Sequence, residues 1–242
     1  MKLENEATGT GNNSTTTMLP ITQSRCTFES GGRPVAYDAF VPEHNGHRFP
    51  AIIGLHGSGG GHATMADPAA QLAGYGFAVF VLHYFDRTGT TPVVDKQTAI
   101  RHFPVWGKTV WDAITHVERQ PAVDPNRIGL LGFSLGAYLA LSVAAVDQRV
   151  KAVVDFFGGF PKEMKLFMRR LCPTLILHGD ADTTVPVAEA YYLQEILEKK
   201  AIPYEMQIYG GAGHGFNGEN WQDARRRTLA FLQRHLPHSA KQ

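Results

Sequence analysis

The sequence has few of the features that would support a disulfide-stabilised, membrane-spanning or nucleic-acid-binding protein. Only two of its 242 residues are cysteine, Cys26 and Cys172, so no disulfide framework is indicated. No apolar run approaches the roughly 18 residues of a membrane span or forms a signal-peptide core. The formal net charge is +1, which lacks the electrostatic footprint of a nucleic-acid-binding protein. We therefore expect a cytoplasmic protein, monomeric or homodimeric, with no nucleic-acid or membrane partner.

The sequence does contain enough apolar residues for one packed domain. Hydrophobic residues make up 43% of the chain. A chain of this length is expected to bury roughly 70–75% of its unfolded surface. Residues 1–20 are rich in Thr, Asn and Gly, and we predict a flexible tail there. We predict that residues 21–238 form a single domain.

The order of apolar and polar segments predicts a mostly parallel α/β sheet. Cys26–Glu29 and Val35–Val41 flank a Gly-containing turn, which is typical of an antiparallel hairpin. Six short apolar runs, the predicted strands, follow: Ala51–Leu55, Phe77–Leu82, Ile128–Gly132, Val150–Phe157, Thr174–Leu177 and Tyr204–Tyr209. Predicted helices lie between and after them: Pro68–Ala73, Ala99–Arg119, Leu135–Ala145, Ala188–Lys200 and Asn220–His235. Uniformly apolar strands separated by helices favour a parallel sheet covered by helices on both faces. The Asp124-Pro125 pair is expected to end the second of these helices.

One motif predicts a nucleophile. Gly132-Phe133-Ser134-Leu135-Gly136 joins a predicted strand to a predicted helix. A serine at such a turn has an exposed hydroxyl, and the flanking glycines let the strand and the helix approach closely. The unpaired amides at the start of the helix suit a developing oxyanion. We therefore predict that Ser134 is a catalytic nucleophile.

A serine nucleophile needs a base and an orienting acid. His214 lies in a glycine-rich loop directly after the last predicted strand, and we predict that it is the base. Asp180 and Asp182 both follow the preceding strand. We prefer Asp182 as the acid and interpret Asp180 as a turn former that binds local backbone amides. The resulting chain order of serine, aspartate and histidine is that of an α/β-hydrolase.

The loop after the first predicted parallel strand, Leu55–Gly61, is the expected source of an oxyanion hole. We assign its donors to the backbone amides of Ser58 and Leu135. A phosphate-binding loop is the competing interpretation, but the third glycine of G-x-G-x-x-G would fall at His62 or Thr64. No Gly-Lys-Ser/Thr sequence follows either, so nucleotide binding is not expected.

Other residues offer weaker predictions. The guanidinium of Arg87 is suited either to a substrate carboxylate, or to an ion pair with Asp86 or a loop-anchoring role. Further predicted lining residues of a substrate pocket are Tyr84, Phe85 and Phe160. His56 and His178 are expected to pair with backbone in their loops. The histidines show no metal-ligand spacing, and we predict neither a metal nor a cofactor.

From about Cys26 to His235 the chain resembles the dienelactone hydrolase family of α/β-hydrolases, with serine at the position of that family's cysteine nucleophile. The segments that carry the resemblance are Leu55–Gly60, His83–Arg87, Val123–Gly129, Gly132–Gly136, His178–Pro186 and Ala212–Phe216. The family's acid lies three residues before a Val-Pro pair, which implies Asp182. Gly57 stands where the family has a glutamate, Gly218 stands where it has a substrate-binding arginine, and Arg87 matches a second such arginine.

These observations together predict an α/β-hydrolase fold. The connection Gly158–Pro173 is too short for a large cap domain. The predicted function is hydrolysis of small to medium carboxylic esters or lactones through a Ser-His-Asp triad and an acyl-enzyme. Two alternatives stay open: peptidase or acyltransferase chemistry on the same triad, and a non-catalytic ligand receptor on this fold.

Overall fold

The computed structural model describes residues 18–43, 46–92 and 94–237, which form an eight-stranded sheet with helices on both faces. The strands are β1 (Ile21–Ser30), β2 (Arg33–Pro42), β3 (Phe49–Leu55), β4 (Ala78–Leu82), β5 (Val123–Phe133), β6 (Val150–Phe156), β7 (Thr174–Gly179) and β8 (Tyr204–Tyr209). Their order across the sheet is β1-β2-β4-β3-β5-β6-β7-β8. The β1–β2 hairpin is antiparallel and joins β4 antiparallel, whereas β3 to β8 run parallel. The predicted fold class is confirmed.

Five α-helices cover the sheet. They are α1 (Ala66–Gly74), α2 (Lys96–Val117), α3 (Leu135–Ala144), α4 (Ala188–Lys199) and α5 (Gly218–His235). Alternate side chains of a strand point to opposite faces, so Ile53 packs in a core with α2, α3 and α4, whereas Ile52 packs in a second core with α1 and α5. Both cores are apolar, which explains why the parallel strands read as continuous hydrophobic runs.

The parallel strands place all the candidate site residues at one edge of the sheet. Ser134 follows β5, Asp182 lies just beyond β7, and His214 lies in the loop after β8. Because these strands run in the same direction, their carboxyl ends meet at a single edge, where α/β folds bind ligands. The connection from β6 to β7 contains one short 3-10 helix, Lys162–Leu166, as its regular structure.

One expectation about a helix end is wrong, and the predicted N-terminal tail lies mostly outside the described residues. The prediction that Asp124-Pro125 ends the second helix is wrong, because α2 stops at Val117 and both residues lie in β5. Asp124 instead accepts hydrogen bonds from the amide of Asn126 and from the guanidinium of Arg127. The predicted N-terminal tail lies outside the described residues except for 18–20. There the amide of Leu19 donates to the carbonyl of Gly74 at 2.8 Å.

Within the described ranges, every helix is too short or too polar to cross a lipid bilayer.

Candidate active site

Ser134 lies in a strained turn between β5 and α3. Its backbone has φ 53° and ψ −118°, a combination that a non-glycine residue rarely adopts. A Cβ on Gly132 would lie 2.4 Å from the backbone of the next helical turn. A Cβ on Gly136 would lie 2.3 Å from the carbonyl oxygen of Leu55. Both flanking positions of the motif therefore require glycine.

Three side chains form a continuous hydrogen-bonded chain at this turn. Ser134 Oγ lies 2.9 Å from His214 Nε2, and His214 Nδ1 lies 2.7 Å from Asp182 Oδ2. The Asp182 side chain is 0% exposed, whereas that of His214 is 23% exposed. The imidazole thus lies between a buried carboxylate and a hydroxyl group that solvent can reach.

Asp182 is held ionised by its hydrogen bonds. Its Oδ1 accepts from the backbone amides of Thr184 at 2.8 Å and Val185 at 2.9 Å. Burial opposes ionisation, but the bonds from His214 and from these two amides hold the pKa of Asp182 below its usual value. Asp180 instead accepts a 2.7 Å bond from the amide of Gly211. Of the two aspartates, Asp182 is therefore the one that contacts the histidine.

Two buried histidines support the neighbouring loops in their neutral form. His178 Nε2 donates to the carbonyl of Val185 at 2.8 Å and lies 3.5 Å from Asp182 Oδ2. His56 Nδ1 donates to the carbonyl of Gly57 at 2.8 Å. Burial lowers the pKa of His178, and it lowers the pKa of His56 to about 4. The prediction that both would pair with loop backbone is confirmed.

Of the two amides assigned to an oxyanion hole, that of Leu135 directly follows Ser134, and that of Ser58 directly follows Gly57. Leu135 is the first residue of α3, and neither its amide nor that of Ser58 donates to another described residue. A Cβ on Gly57 would lie 3.5 Å from Ser134 Cβ, so this loop passes directly beside the Ser134 turn. The carbonyl of Ser58 accepts from the amide of Val94 at 3.0 Å, which fixes the loop from its far side.

A cleft of about 270 Å³ lies beside these groups, between the Gly57–Gly61 loop and the loop that carries His214. Its wall includes the aromatic rings of Phe133, Phe157, Phe216 and Trp221. The Phe157 ring stands edge-on to the His214 ring, with 4.9 Å between their centroids. The sequence assigns Trp221 no role, because its spacing from His214 does not indicate toward which side of α5 its side chain points.

Comparison with known proteins agrees with this geometry. The model of the dienelactone hydrolase family matches residues 37–235. The chain belongs to the dienelactone hydrolase family. The predicted family and the prediction of a hydrolase of the dienelactone hydrolase type are thereby confirmed.

Several relatives of this family cover most of the chain. A Yersinia pestis protein named as a carboxymethylenebutenolidase is 25% identical over 223 residues, which cover 83% of each chain. A Bradyrhizobium protein named as a 2-oxo-3-(5-oxofuran-2-ylidene)propanoate lactonase is 27% identical over 213 residues, 78% of this chain and 85% of its own. Among solved structures, a Klebsiella pneumoniae protein named as a dienelactone hydrolase superposes with a TM-score of 0.76 at 19% identity, over 88% of this chain and 98% of that one. This last likeness concerns the fold.

Two positions depart from the dienelactone hydrolase pattern, and the structure accommodates both. A Cβ on Gly57, where the family pattern has a glutamate, would meet its neighbours at ordinary contact distances of 3.5 Å. Gly218, where the pattern has an arginine, has φ 49°, a left-handed backbone that favours glycine. The backbone conformation at position 218 therefore favours glycine, which also lacks the charge of the arginine in the family pattern.

The structure does not bring Arg87 to the cleft. Its Nη1 donates to Ser30 Oγ at 2.9 Å and to Asp112 Oδ2 at 3.3 Å, and its side chain is only 18% exposed. Asp86 accepts from the amide of Ala36 instead. The guanidinium thus joins the β1–β2 turn to α2, which agrees with the predicted loop-anchoring role and not with an ion pair to Asp86.

The other predicted pocket residues also lie beneath the surface. Tyr84 is fully buried, stacks on His56 with 4.2 Å between ring centroids, and donates to the carbonyl of His56 at 2.7 Å. Phe85 packs edge-on against the same imidazole at 4.7 Å. Phe160 is fully buried in the core beneath α3 and α4. These rings support the loops of the site and do not line the cleft beside Ser134.

Asp155 lies fully buried at the end of β6, and its role is not indicated by the sequence. Its Oδ1 accepts from the amide of Gly158 at 2.8 Å, and its Oδ2 has no hydrogen-bond partner among the described residues. Burial raises its pKa to about 7. An apolar run gives no sign of such a residue, since one aspartate within Val150–Phe157 does not change the strand prediction.

The residues that the structure describes include no group of three or more His, Cys, Asp or Glu side chains that could hold a metal ion.

Replacing Arg87 tests the role that the structure gives it. Arg87→Ala removes the guanidinium that binds both Ser30 Oγ and Asp112 Oδ2, so we expect a loss of about 1–3 kcal/mol in the free energy of unfolding, measured in urea. The ratio of kcat/KM for a neutral and an anionic p-nitrophenyl ester should stay unchanged. Arg33→Ala, at an exposed position of β2, is the control for stability. A selective loss on the anionic ester would restore the substrate-binding role.

Replacing Asp155 tests the buried carboxyl group. A native pKa above the ordinary 3.8 means that the neutral acid stabilises the fold at low pH, and that this contribution is lost as the pH rises through about 7. Asp155→Asn cannot ionise, so its melting temperature should fall less than that of the wild type between about pH 5 and pH 8.5. Asp67→Asn, at an exposed position of α1, should behave as the wild type. Parallel curves for Asp155→Asn and the wild type would contradict the assignment.

Proposed function

We propose that this protein is a serine hydrolase that cleaves carboxylic esters or lactones of small to medium size through an acyl-enzyme, with residues 21–238 as its single domain. The observation that carries the proposal is the unbroken chain from Ser134 Oγ through His214 to Asp182, at the start of α3. The names of the two relatives, a carboxymethylenebutenolidase and a lactonase, support an ester or lactone as the bond that is cleaved.

Each group has a defined part in the proposed reaction. His214 Nε2 accepts the proton of Ser134 Oγ as the oxygen attacks the carbonyl carbon. Asp182 keeps the Nδ1–H tautomer oriented and stabilises the imidazolium that forms. The amides of Ser58 and Leu135 donate to the oxyanion of the tetrahedral intermediate. His214 then protonates the leaving alcohol, and water hydrolyses the acyl-enzyme by the same steps in reverse order.

The other candidate functions have less support from the geometry. A non-catalytic receptor does not need the three side chains in hydrogen-bond contact. Peptidases and acyltransferases use the same residues, and they differ only in the leaving group or in the nucleophile that accepts the acyl group. The exposed edge of His214 gives water direct access to the acyl-enzyme, which favours hydrolysis.

The proposed nucleophile is tested by Ser134→Ala. We expect kcat on p-nitrophenyl butyrate to fall by about 10⁴–10⁶, because the other groups cannot replace the attacking oxygen. A fluorophosphonate probe should label the wild type and leave the variant unlabelled. Ser24→Ala, at an exposed serine of β1, is the matched control and should keep both properties. Equal hydrolysis by the wild type and Ser134→Ala would refute the proposal.

The proposed acid is tested by a pair of substitutions. Asp182→Asn keeps the shape of the side chain but favours the wrong imidazole tautomer, so kcat should fall by about 10⁴. Asp180→Asn can still accept the bond from Gly211 and should lower kcat by less than about tenfold. Circular dichroism of both variants establishes that they are folded. A larger loss at Asp180 than at Asp182 would reverse the assignment.

A further inference from the structure

A second cavity lies between α1 and α5, on the sheet face opposite α2, α3 and α4. Its volume is about 310 Å³, within the range of small-molecule sites in proteins. Side chains such as Leu72, Val79, Leu131 and Leu229 make its wall mostly apolar. The proposed chemistry does not use this space, so the cavity has no function in the reaction as described above.

The cavity adjoins the cleft beside Ser134. Four residues line both spaces: Met65, Pro68, Phe133 and Trp221. The cleft in turn reaches Gly57 and Phe157, which border Ser134 and His214. An acyl group attached to Ser134 that extends along the cleft would pass these four side chains to reach the cavity.

The length of the cavity can be read from the two helices. Lining positions run along α5 from Trp221 to Leu229, and eight residues of an α-helix span about 12 Å. The partner wall runs from Met65 to Tyr75 at the end of α1. A space of this length and volume with apolar walls fits a linear hydrocarbon chain better than it fits a compact polar group.

Met65 lies in the wall that the cleft and the cavity share. A Cβ on Gly54 would lie 2.8 Å from Met65 Cε, so the methionine fills the space that the missing side chain of Gly54 leaves free. Methionine has three rotatable side-chain bonds and adapts to irregular apolar contacts. Its movement can widen the connection between cleft and cavity without moving the backbone.

Residues 1–17 and 238–242, which lie outside the described ranges, contain few large apolar side chains. Residues 1–17 contain two large apolar side chains, Met1 and Leu3, among Thr, Asn, Gly and Glu. Residues 238–242 contain none.

Arg225 contributes a half-buried guanidinium to the cavity wall and forms no hydrogen bond or ion pair with a described residue. A cation at this position disfavours a positively charged ligand and tolerates a neutral or anionic one.

We propose that this cavity binds the acyl chain of a medium-chain ester, about six to ten carbons long, whose carbonyl group is attacked by Ser134. This inference rests on the proposed function, since it assigns the substrate class of the same site. Each methylene that enters the cavity leaves water, which strengthens binding by up to about fourfold.

The first experiment is a chain-length series of p-nitrophenyl esters from acetate to dodecanoate. The wild type should show kcat/KM at least about tenfold higher for octanoate than for acetate. Leu229→Trp fills the cavity from α5, so it should lose this gain and keep its activity on acetate. Ala230→Trp places the same ring at the adjacent, exposed position and should keep the full profile. A wild-type profile that falls beyond butyrate, or an equal loss on acetate and octanoate in Leu229→Trp, would overturn the proposal.

A second experiment separates this proposal from the proposed chemistry. Calorimetry with decanoate on Ser134→Ala measures occupation of the cavity without any reaction. Binding that disappears when Leu229→Trp or Leu72→Trp is added supports the cavity site, even if the wild type hydrolyses no ester. Absence of decanoate binding, together with normal hydrolysis of acetate, would reject the acyl-chain site and leave the proposed hydrolase intact. Thermal unfolding identifies the Trp variant that folds, and that variant decides the outcome.

Discussion

The left-handed backbone of Ser134 is the constraint on which the arrangement of the site depends. Holding a non-glycine residue in such a conformation costs about 1–3 kcal/mol, which the surrounding structure must offset. The amide of Ser134 donates to the carbonyl of Phe156 at 2.9 Å, and its own carbonyl accepts from the amide of Ala137 at 2.9 Å. These bonds fix the turn to β6 on one side and to α3 on the other. The same turn brings Oγ and the first free amide of α3 to one point, so the proposed nucleophile and one oxyanion donor cannot be displaced independently.

A second left-handed residue lies beside the first. Phe157, with φ 43°, follows β6 directly, and its amide donates to the carbonyl of Leu177 at 2.8 Å. A Cβ on Gly158 would lie 2.4 Å from the Cβ of Ala137, so this turn packs against the start of α3. Asp155 closes the turn through the amide of Gly158. The buried carboxyl group is thus part of the support for the turn that carries Phe157, whose ring faces His214.

The sequence predicted those parts of the site that depend on local order along the chain. Ser134, Asp182 and His214 could be selected because each follows an apolar strand in a segment rich in glycine or aspartate, and parallel strands end at one edge. The side-chain surroundings of Arg87 could not be predicted in this way. Its partners, Ser30 and Asp112, are 57 and 25 positions away along the chain. The burial of Tyr84 and Phe160 could not be predicted for a related reason, since an aromatic residue near a strand end gives the same pattern whether it faces a ligand or the core.

Because Arg87 does not line the cleft, the electrostatic field at the site differs from the one that a substrate-binding arginine would give. None of the described residues that line the cleft beside Ser134 is a lysine or an arginine. His56 and His178 are kept neutral by burial, so they add no positive charge at neutral pH. The favourable field for a developing oxyanion then comes from backbone amides and the start of α3, which act over short distances and favour charge that forms during the reaction over charge that the substrate already carries. A neutral acyl group with an apolar chain suits such a cleft better than a substrate bound through its carboxylate, and the aromatic wall leads from the reacting carbonyl toward the apolar cavity between α1 and α5.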